Sequence, residues 1–117
     1  MELRQPGQIV LLKFPHTDLN EGKLRPVLLL SKLPGNLNDW LICMVTTKHK
    51  TFTDDLDEEI NDSDNDFNDS GLKSPSVLKI LRIAVINRSI MLGKIGNISD
   101  LRLTRIKSKI SKWILEN

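Results

Sequence analysis

Tyrosine is absent from this chain and cysteine occurs once, at position 43. With one thiol, neither an internal disulfide nor a cysteine-based zinc site can form. Inside the apolar run WLICMV, Cys43 reads as a small buried hydrophobe and not as a reactive nucleophile. The aromatics are Trp40, Trp113, Phe14, Phe52 and Phe67, so platforms for stacking bases are scarce. No stretch approaches the roughly 20 continuous apolar residues of a membrane span. The start MELRQPGQIV lacks the basic-then-apolar layout of a secretory signal, which makes the cytoplasm the expected compartment. Repeats and low-complexity linkers are missing as well. A length of 117 residues fits one compact core, hence a single domain over 1–117.

Charge is plentiful but unevenly placed. Residues 54–69, DDLDEEINDSDNDFND, hold 9 of the 15 acids and no Lys or Arg. The other 101 residues carry 17 basic and 6 acidic side chains, a balance of +11 behind a net charge of only +2. Such segregation suits a positive face for a polyanion or an acidic peptide. Asp62, Asp64 and Asp66 imitate the start of a calcium loop, yet Phe67 and Lys73 stand where that loop needs Gly and Glu. The acidic stretch therefore reads as a solvated loop or a frayed edge strand.

Short apolar runs separated by turn formers dominate the rest. IVLLKF, from Ile9 to Phe14, reads as a first strand, and PHTDLNEGKL supplies the loop after it. A second strand is expected from Pro26 to Ser31, since proline is tolerated at a strand's first position. A third runs from Trp40 to Thr47, and further strands lie near Ser76 to Ile83 and Ile90 to Ile95. Without a βαβ rhythm, these argue for a mainly β (α+β) fold, a small antiparallel barrel. The ending differs. Ser99 and Asp100 form a helix start, after which Leu103, Ile106, Ile110, Trp113 and Ile114 recur at helical spacing. Arg102, Arg105, Lys107, Lys109 and Lys112 read as the solvated face of that amphipathic helix.

GKLRPVLLLS sets Arg25 against Pro26 at the mouth of a leucine run. Two readings are open. Arg25 is a surface residue whose stem covers apolar area, or its fork of donors, steadied by Pro26 and the strand behind, faces a phosphate. Thr46 and Thr47 end the third strand, and antiparallel neighbours bring such ends side by side.

GQIVLLKFPHTD, LRPVLLLS, ICMVTTK, GLKSPSVLK and GKIG, in this order, resemble the PemK/MazF family of toxins from type II toxin-antitoxin systems. The resemblance runs from about Gly7 to the terminal helix. It implies an SH3-like β-barrel with a C-terminal helix, a homodimer, and sequence-specific, ribosome-independent cleavage of single-stranded RNA without metal or other cofactor. It also implies silencing by an acidic antitoxin segment laid across the RNA groove. Carried over residue by residue, it makes Arg25, before the proline, and Thr46, first of the threonine pair, catalytic.

The chemistry asks for those residue types. The RNA 2′-hydroxyl can attack the adjacent phosphorus, leaving a 2′,3′-cyclic phosphate and a 5′-hydroxyl, so the protein supplies charge stabilisation and proton transfer but no nucleophile. A guanidinium stabilises nonbridging oxygens and is a poor general base. Glu21, four residues before Arg25, is the candidate to accept the 2′-hydroxyl proton; His16 is the other group able to move one near neutral pH. Some family members carry a catalytic Asp in the region of KSPSVLK, where this chain has no acid. Ser76 and Lys79 are expected to bind substrate there. His16, Thr17, Lys23, Thr47 and Lys48 complete the expected RNA-binding set. A non-cleaving toxin of the same barrel, of the kind that poisons DNA gyrase, and a degenerate antitoxin-binding member are the alternatives.

Overall fold

The computed structural model describes residues 3–13, 24–47 and 55–117. Six strands form one antiparallel sheet: β1 (Gln8–Lys13), β2 (Leu24–Lys32), β3 (Asp39–Thr47), β4 (Glu58–Ile60), β5 (Ser76–Asn87) and β6 (Met91–Asn97). Their spatial order is β4-β5-β3-β2-β1-β6. A single helical turn, α1 (Phe67–Ser70), precedes β5, and the chain closes with α2 (Asp100–Glu116). The mainly β architecture with a C-terminal helix is the expected one. Several strand bounds differ from the expected ones: β5 runs on to Asn87, β6 begins one residue later at Met91, and β2 starts at Leu24, so Pro26 is its third residue. The proline ring fits because the ladder toward β3 begins only at Val27, opposite Met44.

β1 to β3 read as continuous apolar runs because both of their faces are covered. Ile9, Leu28, Leu30, Cys43 and Val45 join Ile106 and Ile110 of α2 on one side. Val10, Leu12, Val27, Leu29, Trp40 and Ile42 pack with Met91 on the other. The sheet bends around these cores at interruptions of register. Between the pairs Cys43↔Ile83 and Met44↔Lys79, β5 carries Ile80, Leu81 and Arg82 without partners on β3. Burial and the charge of Asp57 push the Cys43 thiol up to about 12, which leaves it protonated and inert.

Ser99 caps α2 as its sequence predicts, its Oγ accepting from the Arg102 N–H at 3.1 Å. Two expectations for this region need correction. The helix's basic residues are not all solvated, and the acidic stretch, though it does supply an edge strand, β4, buries carboxylates of Glu58 and Asp66 that were expected in solvent. Arg102 is 7% exposed. Its Nε donates to Asp66 Oδ2 at 2.8 Å, Nη1 to Glu58 Oε1 and the Glu59 carbonyl at 3.1 and 2.9 Å, and Nη2 to Asp64 Oδ2 and Asp66 Oδ1 at 3.1 and 3.0 Å. All five guanidinium protons are thereby used. Arg105 and Lys109 close on Glu58 at 2.8 Å each. The reason is desolvation: β4 pairs with β5 at the sheet edge and buries Glu58, and a buried carboxylate must find cations. The buried apolar stripe is shorter than its spacing suggests, for Trp113 and Ile114 stay exposed.

Burial pushes the Asp66 carboxyl up, but hydrogen bonds from Arg102 and the Ser99 backbone, with the guanidinium charge, outweigh it and hold the group at about 2. A carboxylate lowered from its ordinary 3.8 stabilises the fold fully above about pH 4, and that contribution, about 2 kcal/mol, is lost as pH falls toward 2. Urea unfolding along an acid series is expected to show this loss. Asp66→Asn should flatten the acid limb; a variant with the wild-type limb would show that other groups govern it.

Candidate functional site

The site forms where the start of β2, the end of β3 and the approach to β5 meet. Continuing the antiparallel register from Val27↔Met44 by two residues sets Arg25 across from Thr46. On the other flank of β3, Thr46 pairs with Val77 and Thr47 with Ser76. An open cleft of about 280 Å³ lies over this junction, lined among others by Arg25, Thr46, Thr47, Lys73, Ser74 and Ser76. Arg25 is exposed and both threonines are half-buried, so the rigid strands hold groups that still reach solvent. Arg25 and Thr46 thus share one rim.

No acidic residue is among the described residues lining the cleft. Among these described residues, a guanidinium, an ammonium and several hydroxyls offer donors for an anion. Ser76 is buried, and its Oγ donates to the Ser74 carbonyl at 2.9 Å, fixing the turn into β5. Lys79 stands three residues further along, opposite Met44, and is not among the described residues lining the cleft. Its Nζ lies 2.6 Å from Asp57 Oδ2, so its charge is matched from within the acidic segment. Glu21, His16, Thr17, Lys23 and Lys48 lie outside the described residues.

Sequence reasoning passed over Lys73 and Ser74. The available signal was KSPS itself: a lysine two residues before a proline at the entry to a strand stands in the same kind of position as Arg25 before Pro26.

A family model described as the PemK-like, MazF-like toxin of type II toxin-antitoxin system matches residues 5–114. A search of curated proteins finds no match. Among solved structures, an endoribonuclease in complex with its cognate antitoxin from a Mycobacterial species aligns with a TM-score of 0.64 at 16% identity, covering 94% of this chain and 93% of that one. The Mycobacterium tuberculosis toxin MazF-mt6 aligns with a TM-score of 0.66 at 18% identity, covering 90% and 93%. At such identities these two structures establish the fold, a six-stranded antiparallel sheet with its C-terminal helix. The family assignment rests on the model that spans nearly the whole chain: it belongs to the PemK-like, MazF-like toxins of type II toxin-antitoxin systems.

Proposed function

We propose that this toxin is a metal-independent endoribonuclease that cuts single-stranded RNA at specific sequences in the Arg25 cleft. The observation that carries the reading is the placement of Arg25 and Thr46 on neighbouring strands of one cleft. The phosphate enters between them. The 2′-oxygen forms a bond to phosphorus as the bond to the 5′-oxygen breaks; the 2′-hydroxyl proton leaves to a base, and the 5′-oxygen gains a proton. Negative charge gathers on the nonbridging oxygens, where the Arg25 fork and the Thr46 hydroxyl donate. That charge stabilisation comes from the protein's own cation, so the step requires no metal. Glu21 as base and His16 as a second proton carrier belong to the connection between β1 and β2, which leads directly into Arg25.

The structural relative found with its cognate antitoxin supports an antitoxin as partner, and an acidic segment of it would suit the anion-binding cleft. A homodimer is in keeping with the exposed Ile83, Val85, Ile90 and Leu92, which gather on β5, β6 and the turn between them. No helix among the described residues is long and apolar enough to cross a membrane. An RNA substrate places the work of the protein in the cytoplasm.

Incubation with a long natural RNA in EDTA, followed by analysis of the ends, tests the reading. Discrete cuts bearing 5′-hydroxyl and 2′,3′-cyclic phosphate ends are expected. Intact RNA, or 5′-phosphate ends, would overturn it, and gyrase inhibition in the absence of RNA cutting would point to the binding-toxin alternative.

A further inference from the structure

The cleft has a second basic wall, built by the segment that leads from α1 into β5. Gly71 ends α1 in the left-handed region, with φ 75°, and a Cβ there would come within 2.0 Å of the Ile95 carbonyl oxygen. The chain therefore turns tightly against β6. Ser70 Oγ then accepts from the Leu72 N–H at 3.1 Å, Pro75 restricts the backbone, and Ser76 Oγ ties to the Ser74 carbonyl. At the other end of α1, Asp66 is anchored by Arg102 and by the Ser99 N–H at 3.1 Å. Lys73 and Ser74 sit on this braced segment, exposed and facing the cleft.

The two lysines of this region have different fates. Lys79 is matched by Asp57, whereas among the described residues Lys73 forms no salt bridge. None of the described residues lining the cleft is a carboxylate, and an exposed ammonium among them is available to an anion that enters. Resting on the RNA reading above, we propose that Lys73, with the Ser74 hydroxyl beside it, binds a backbone phosphate neighbouring the one held by Arg25. The cleft then grips two successive phosphates from its two flanks, β2 and the β5 approach, with β3 between them. Lys73 contributes affinity and register on the strand; it does not take part in bond cleavage.

The test uses binding and cutting separately. A random-sequence pool of 2′-O-methyl RNA, which lacks the attacking hydroxyl, is titrated with the full-length protein over a range of salt. For Lys73→Ala the slope of log K against log salt is expected to shrink by about 0.7, the signature of one lost phosphate contact to a single strand. Lys73→Arg should restore it, and Lys112→Ala, the same charge change on the exposed helix surface, should keep the wild-type slope. Circular dichroism checks that each variant is folded. An unchanged slope for Lys73→Ala, or an equal fall for Lys112→Ala, overturns the proposal. Cleavage of natural RNA by the wild type is scored independently: cutting with an unchanged Lys73→Ala slope refutes this subsite alone. A Lys73-dependent slope without cutting sustains the subsite and refutes the nuclease reading.

Discussion

Alanine at position 25 is expected to slow RNA cleavage by about 10²–10³-fold, or roughly 3–4 kcal/mol in the barrier, while leaving the fold intact. The size follows from the role. A preorganised guanidinium aimed at the nonbridging oxygens gains most when charge has moved onto them, so its loss falls on the transition state. The fold survives because Arg25 is exposed at the start of β2, before the buried Val27 to Leu30. Arg25→Lys keeps the charge but not the planar fork, and intermediate activity is expected. Thr46→Val removes one hydroxyl donor at nearly constant volume and should cost about 10- to 100-fold. Initial rates on one RNA, measured beside urea unfolding, check the series. An Arg25→Ala protein that cuts at the wild-type rate would return that residue to the surface role of covering apolar area.

Arg102→Met is expected to destabilise the protein by about 3–5 kcal/mol, a large share of the stability of a domain this size. The loss comes from what remains behind more than from what is removed. Asp66 and Glu58 are 4% and 6% exposed, and without the guanidinium they stay in low dielectric with fewer donors. Arg105 and Lys109 still reach Glu58, so Asp66 is the group left most in need. Combining Arg102→Met with Asp66→Asn should therefore cost less than the sum of the two single changes, because the second removes the stranded charge. Urea denaturation at neutral pH measures all three. A cost below about 1 kcal/mol for Arg102→Met would mean that the cluster behaves as a solvated surface network.

The parts of this molecule that were legible in its sequence are those governed by neighbours along the chain. Strand runs such as IVLLKF and WLICMVTT, the Ser99 cap and the Ile106–Ile110 stripe depend on local pattern, and each lies within a residue or two of its expected position. That Arg25 and Thr46 line one cleft was legible through the motifs that flank them, since antiparallel neighbours bring such strand ends together. The acidic segment was legible as an edge strand, β4, but not in the burial of its carboxylates, for the opposite reason. Nothing within it shows that Asp66 will meet a guanidinium 36 residues later, or Glu58 an ammonium 51 residues later. Composition alone makes nine acids look solvated, whether on a loop or on a frayed edge strand. Lys73 and Lys79 illustrate the same limit at close range: six residues apart, one faces the cleft and one faces Asp57, and only the pairing of β4 with β5 decides which.

The 36-residue separation between Asp66 and Arg102 also imposes an order on biosynthesis. A nascent chain emerging from the ribosome exposes the carboxylates of Glu58, Asp64 and Asp66 well before the arginine that gathers them has been translated. Until α2 emerges, the turn bearing Lys73 has no ionic anchor on the helix.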